Sequence, residues 1–85
     1  MLSLQGDCVV LVRNLNPQTT EEALKTHLST VGEVTRVLLG KDSLTGEPTG
    51  NAHCAFTTRD KASQAISRLN GRDLDGNELE ILEIP

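Results

Sequence analysis

The 85-residue sequence predicts a single domain of the α+β class, with its elements in the order βαββαβ. Short β-branched runs alternate with stretches whose apolar residues recur at helical spacing, and turn-forming residues separate them. Apolar residues make up 36% of the chain, enough for a core, and no run approaches the roughly 18 apolar residues of a membrane helix. We therefore expect one domain over residues 1–85, with its core at about 8–84, no membrane partner, and a longer protein around it.

The first half of the chain contains a strand, a helix and a second strand. The run from Cys8 to Val12 is rich in valine and is followed by turn-forming residues, which favours a strand. Thr19 and Glu22 have the spacing of a capping box, and Gly32 stands where a left-handed C-cap would end the first helix. The run VTRVLLG at 34–40 is expected to form the second strand.

The second half repeats this pattern in the order strand, helix, strand. Residues 41–50 are rich in turn formers, and residues 51–57 alternate with the larger apolar groups on one side, as in a half-buried strand. Thr58 can cap a second helix that ends at Asn70-Gly71, and residues 78–84 alternate as a fourth strand. This order predicts a ferredoxin-like fold, a four-stranded antiparallel sheet with both helices on one face and the other face open.

Charge and cysteine content exclude several classes of function. The net charge is −4, but five of the twelve acidic residues lie in the last thirteen positions, so a local basic groove remains compatible with the sequence. Cys8 and Cys54 form neither a disulfide framework nor a metal-binding motif. Nucleophile-and-base spacing and phosphate-binding glycine loops are absent from the sequence. We expect no enzyme, metal or cofactor, and a location inside the cell, in the nucleus, the cytoplasm or an organelle.

Two segments resemble the RNP motifs of the RNA recognition motif (RRM) family. Val10–Leu15 (VLVRNL) is similar to the first-strand segment, and Thr49–Phe56 (TGNAHCAF) is similar to the eight-residue third-strand segment. The helix-one region and the DSLTGEPTG loop also match, in the right order. The resemblance implies a ferredoxin-like fold that binds single-stranded RNA on its open sheet face.

The sequence departs from the family where aromatic residues stack on bases. Leu11, Asn51 and His53 hold those places, and Phe56, the single aromatic, turns into the core by its parity with its neighbours. We therefore expect weak, loosely selective binding that favours small pyrimidines, in a domain acting in RNA processing. The candidate RNA-binding residues are Leu11, Arg13, Arg36, Leu38, Lys41, Asn51, His53, Glu80 and Leu82. For Arg13 the alternative is a cross-strand ion pair with Glu80.

A protein-binding function is the alternative. The UHM class within the RRM family has weakened RNP segments, an acidic first helix and an R-x-F turn after the second helix. The chain is partly similar to it, and the corresponding residues are Glu21, Glu22, Arg72 and Leu74. We expect a monomer, with self-association through the leucine-bearing sheet left open, and we expect His27 to be a solvated helix residue.

Overall fold

The structure, a computed structural model, describes residues 8–84. Its elements are β1 (Val9–Arg13), α1 (Glu21–Leu28), β2 (Val34–Lys41), β3 (Pro48–Phe56), α2 (Arg59–Leu69), β4 (Asp73–Leu74), β5 (Asn77–Glu78) and β6 (Glu80–Glu83). The main sheet is antiparallel with the order β2-β3-β1-β6, which confirms the predicted ferredoxin-like fold. Within this part of the chain, neither helix is long and apolar enough to cross a membrane.

The core lies between the helices and one face of the main sheet. The strands contribute Val10, Val12, Ala52, Cys54, Phe56 and Ile81, and the helices contribute Leu24, Leu28, Ala62, Ala65 and Leu69. Residues between these strand positions, such as Leu11 and His53, point to the other face because side chains alternate along a strand. Phe56 is only 2% exposed, so the single aromatic ring is part of the core, as predicted.

The first helix begins and ends differently from the prediction. Thr20, not Thr19, is the N-cap, because the Thr20 hydroxyl accepts a hydrogen bond from the Ala23 backbone N–H at 3.0 Å. The predicted capping box of Thr19 and Glu22 is therefore wrong. The predicted left-handed cap at Gly32 is also wrong, since α1 ends at Leu28 and Gly32 does not have a positive φ.

A close approach between the loop after α1 and the Lys61 side chain of α2 explains the glycine at position 32. A Cβ atom added to Gly32 would lie 2.6 Å from Cδ of Lys61 on α2. The missing side chain therefore leaves room for the lysine stem. The second helix begins and ends as predicted, with Thr58 accepting from the Lys61 backbone N–H at 3.2 Å and Gly71 at a φ of 86° after the last turn.

Strand pairing shortens the predicted turn between the second and third strands. Strand β2 continues to Lys41 and β3 begins at Pro48, which leaves residues 42–47 as the loop. The Asp42 carboxylate accepts hydrogen bonds from the backbone N–H groups of Leu44, at 2.8 Å, and Thr45, at 3.1 Å. These bonds, with that of Leu44 first, hold the pKa of Asp42 below its usual value.

The predicted fourth strand is shorter in the structure, and a hairpin that was not predicted precedes it. Residues 73–78 form a small hairpin, β4-β5, that is separate from the main sheet, and β6 is the last strand of the main sheet and pairs with β1. Asp75 at the tip of this hairpin has a φ of 54°, a left-handed conformation that aspartate tolerates in tight turns. The sequence prediction of one continuous strand over 78–84 is therefore corrected to Glu80–Glu83.

Candidate nucleic-acid interface

The centre of the open face is a cross-strand row of four side chains, here called the central row. The register pairs Leu38 with His53, His53 with Leu11, and Leu11 with Leu82. Leu38 is 50% exposed, His53 is exposed, and Leu11 and Leu82 are half-buried. The structure thus joins three predicted leucines and the predicted histidine into one continuous strip across the sheet.

A second row on this face contains an ion pair. Arg13 and Glu80 are cross-strand partners, with Arg13 Nη1 3.6 Å from Glu80 Oε1 and both side chains 52% exposed. Asn51 is exposed on β3 two residues before His53, and Lys41 is exposed at the end of β2. A half-exposed pair contributes at most about 1 kcal/mol, so an approaching phosphate can compete for Arg13.

The third row, here called the lower row, consists of Arg36, Ala55 and Val9. It borders a pocket of about 300 Å³ lined by Val9, Arg36, Leu38, His53, Cys54 and Ala55. Val9 and Ala55 are absent from the residues predicted from the sequence. Val9 lies two positions from Leu11 and Ala55 lies two positions from His53, so strand alternation places both on the open face.

A β-bulge in β2 directs Arg36 and Leu38 to the open face. The register pairs Val34 with Phe56 but Arg36 with Ala55, so one extra residue lies on β2. Because of this residue, Val34 and Val37 both point into the core although they are three positions apart. Arg36 and Leu38 then continue the alternation on the solvent side.

Cys54 lies beneath the lower-row pocket and is chemically inert there. Its side chain is fully buried, and this burial raises the pKa of the thiol to about 12. The thiol is therefore protonated at neutral pH and is a poor nucleophile. Both Cys54 and Cys8 are free cysteines. Among residues 8–84, no group of three or more His, Cys, Asp or Glu side chains can hold a metal ion.

The residues of the protein-binding alternative lie in separate places. Glu21 and Glu22 line a groove with Lys25, Thr35, Arg36 and Val37, whereas Arg72 lines a different groove beside Arg68 and Leu69. Leu74 is half-buried against the core. The structure therefore does not bring the acidic residues of helix α1 together with Arg72.

The prediction that His27 is a solvated residue is wrong. Its side chain is half-buried, and within the part of the chain that the structure describes its Nε2 atom is buried without a hydrogen-bond partner. His27 borders the Arg72 groove, at the end of α1 that faces the last turn of α2. Helical periodicity alone did not indicate this burial.

The fold and the open face define a class of small recognition modules with one sheet backed by two helices. The open face combines leucine side chains with imidazole, amide and guanidinium groups at positions fixed by the strand register. The chain belongs to the RNA recognition motif family, whose model matches residues 10–80. This match confirms the resemblance on which the sequence prediction rested.

Curated relatives and solved structures agree with this assignment. Over 72 residues the chain is 38% identical to the human cleavage stimulation factor subunit 2 tau variant, covering 85% of this chain and 12% of that protein. It is 36% identical to glycine-rich RNA-binding protein 1 of Mycosarcoma maydis, covering 85% of this chain and 41% of the relative. The structure of the Sxl-lethal protein/RNA complex superimposes with a TM-score of 0.82 at 30% identity, over 91% of this chain and 47% of that one. The chain thus spans less than half of each of these proteins.

Proposed function

We propose that this domain binds single-stranded RNA weakly across its open sheet face and acts in RNA processing in the nucleus or the cytoplasm. The observation that carries the proposal is the central row of Leu38, His53, Leu11 and Leu82, with Arg13 and Arg36 on its two sides. Membership of the RRM family supports it. Two relatives, an RNA-binding protein and a cleavage stimulation factor subunit, support the same function.

The weak affinity follows from the absence of an aromatic ring on this face. Each base stacked on an aromatic side chain contributes about 1–3 kcal/mol, and the single aromatic of the sequence is in the core. His53 retains a flat ring that can stack and form hydrogen bonds, and Leu11 offers an apolar contact. The side chain of Asn51 can read the edge of a base, because an amide both donates and accepts.

The charges on the face determine where the RNA backbone runs. Arg13 and Lys41 can contact phosphates and Arg36 can contact either a phosphate or a base, while Glu80 on β6 repels phosphates. The backbone therefore passes on the side of β2 and β3, and the Glu80 carboxylate remains available to a base amino group. With two or three phosphates neutralised, log K against log salt should have a slope of about −1.4 to −2.

A titration of the 85-residue chain with short homopolymeric RNA oligonucleotides at two salt concentrations tests the proposal. We expect the backbone amide signals of Leu11 and His53 to shift, and those of Arg72 to remain in place. Shifts confined to helices α1 and α2 would contradict RNA binding on the sheet. A tryptophan-bearing peptide titrated in parallel tests the UHM-like alternative, which requires shifts at Arg72 and in helix α1.

A further inference from the structure

The lower-row pocket is an apolar depression beside the central row. Val9 and Ala55 are half-buried there, and Leu38 and His53 form the border with the central row. Its volume of about 300 Å³ is at the lower end of the range for small-molecule sites, roughly 300–1,000 Å³, so it suits one small ring system. Since Ala55 ends at Cβ, the pocket owes its depth to the absence of a longer side chain at this position.

Arg36 supplies the polar contact at this pocket. A guanidinium carries five N–H donors and no acceptor, so it pairs with carbonyl oxygens and is repelled by amino groups. Arg36 also borders the groove of Glu21 and Glu22, yet among residues 8–84 the structure shows no ion pair to its guanidinium. Its donors are therefore free of carboxylates and available to a ligand in the pocket.

Resting on the proposed function, we propose that the lower-row pocket seats one pyrimidine base of the bound RNA, with Arg36 donating to a ring carbonyl. Uracil and cytosine both carry the O2 carbonyl, whereas the acceptors of adenine are single ring nitrogens, and its amino group lies beside N1 and N7, where it repels the guanidinium. The base contacts Val9 and Ala55 instead of an aromatic ring, so the sheet binds it one row away from the RNP positions at Leu11 and His53. The domain thereby discriminates against adenine at this nucleotide.

Two variants test whether the lower-row pocket binds a base, with oligouridylate (U4) and oligoadenylate (A4) of four nucleotides as ligands. Ala55→Leu fills the pocket and should weaken U4 binding about tenfold, because the base loses its apolar contacts. Ser63→Leu adds the same side chain at an exposed position of α2 and should bind U4 like the parent. Arg36→Gln replaces a donor-only group by an amide that can pair with adenine, so the preference for U4 over A4 should fall about fivefold or more.

The ratio of U4 affinity to A4 affinity is compared between variants. Base stacking within free oligoadenylate affects this ratio equally for every variant, so it does not affect the comparison. Arg59→Gln, an exposed arginine at the start of α2, is the matched control and should keep the parental preference. If the parent binds neither oligonucleotide, the proposed function fails. If the parent binds U4 and Ala55→Leu binds it equally well, the seat is wrong while the function stands. An unchanged U4-to-A4 ratio in Arg36→Gln would overturn the role of Arg36.

Discussion

The hydroxyl group of Thr19 donates a hydrogen bond to Oδ2 of Asp75 at 2.7 Å, across 56 positions of the sequence. Thr19 is only 7% exposed, and Asn16 adds a bond from its side-chain amide to the Asp75 carbonyl at 3.0 Å. Asn14 donates to the Glu78 carbonyl at 2.8 Å on the other side of the hairpin. These bonds fasten the loop after β1 to the β4-β5 hairpin and so fix the end of strand β1, which lies in the face proposed to bind RNA.

Thr19→Val should therefore destabilise the domain. Valine keeps the shape of threonine but removes the hydroxyl, so the Asp75 carboxylate loses a partly buried, charge-assisted hydrogen bond. We expect a loss of about 1–2 kcal/mol in the free energy of unfolding, measured by urea denaturation. Thr26→Val, at an exposed position of α1, is the control and should change stability by less than about 0.5 kcal/mol. Equal stability of the two variants would show that the Thr19 bond is energetically neutral.

The sequence predicted the face of the sheet better than the ends of helix α1. Alternation placed Leu11 and His53 outside and Cys54 and Phe56 inside, because side-chain direction in a strand follows from local geometry. Both failures at helix α1 involve distant partners. Thr19 resembles a cap in sequence but bonds to Asp75, and Gly32 resembles a helix end but makes room for Lys61. Local spacing does not contain that information.

The residues of the candidate site were predicted only in part, again because local spacing does not contain the pairing of distant strands. The RNP resemblance indicated Leu11 and His53, and strand alternation added Leu38 and Leu82, but the pocket beside Ala55 depends on the pairing of Arg36 with Ala55, which the bulge in β2 sets. Registers that contain a bulge do not follow from alternation alone, because one extra residue reverses the parity on one strand. The β4-β5 hairpin was missed because each of its strands has only two residues.

The Asp42 loop should lose order at low pH. The pKa of Asp42 is lowered in the folded chain by hydrogen bonds from the backbone N–H groups of Leu44 and Thr45, so the charged form is favoured by folding. Its contribution is complete at pH values well above 3.8, the ordinary value, and is lost as the pH falls through the lowered folded value. NMR should show the amide signals of Leu44 and Thr45 moving together in this acidic window. Asp42→Asn keeps the acceptor without the charge and should abolish the movement.

The two cysteines should differ strongly in reactivity. Burial raises the pKa of Cys54 to about 12 and shields its sulfur, so at pH 8 a thiol reagent should modify Cys8, which is half-buried, well before Cys54. Mass spectrometry of the native chain should find one modified site, and addition of denaturant should expose the second. The variant Cys8→Ser should therefore resist the reagent until it unfolds. Rapid labelling of native Cys8→Ser would contradict the burial of Cys54.

Asn51→Ala should change which base is preferred without a large loss of overall affinity. The amide of Asn51 is exposed on β3 and carries both a donor and an acceptor, which is the pattern needed to read a base edge. Titrations with the four homopolymeric oligonucleotides should therefore show a reordering of affinities. A uniform change across all four would instead indicate a contact with the RNA backbone.

The Arg13–Glu80 pair predicts opposite effects of two substitutions. Glu80→Gln removes the negative charge next to Arg13 and should strengthen binding to every oligonucleotide, by about two- to fivefold at low salt. Arg13→Ala should weaken binding to all sequences alike and make the slope of log K against log salt shallower by about 0.7, the contribution of one phosphate contact. Affinity measured at two salt concentrations separates these effects, with Arg59→Ala on α2 as the control. If Arg13→Ala retains both the parental affinity and the parental slope, Arg13 does not contact the RNA, and its role is limited to the ion pair across strands β1 and β6.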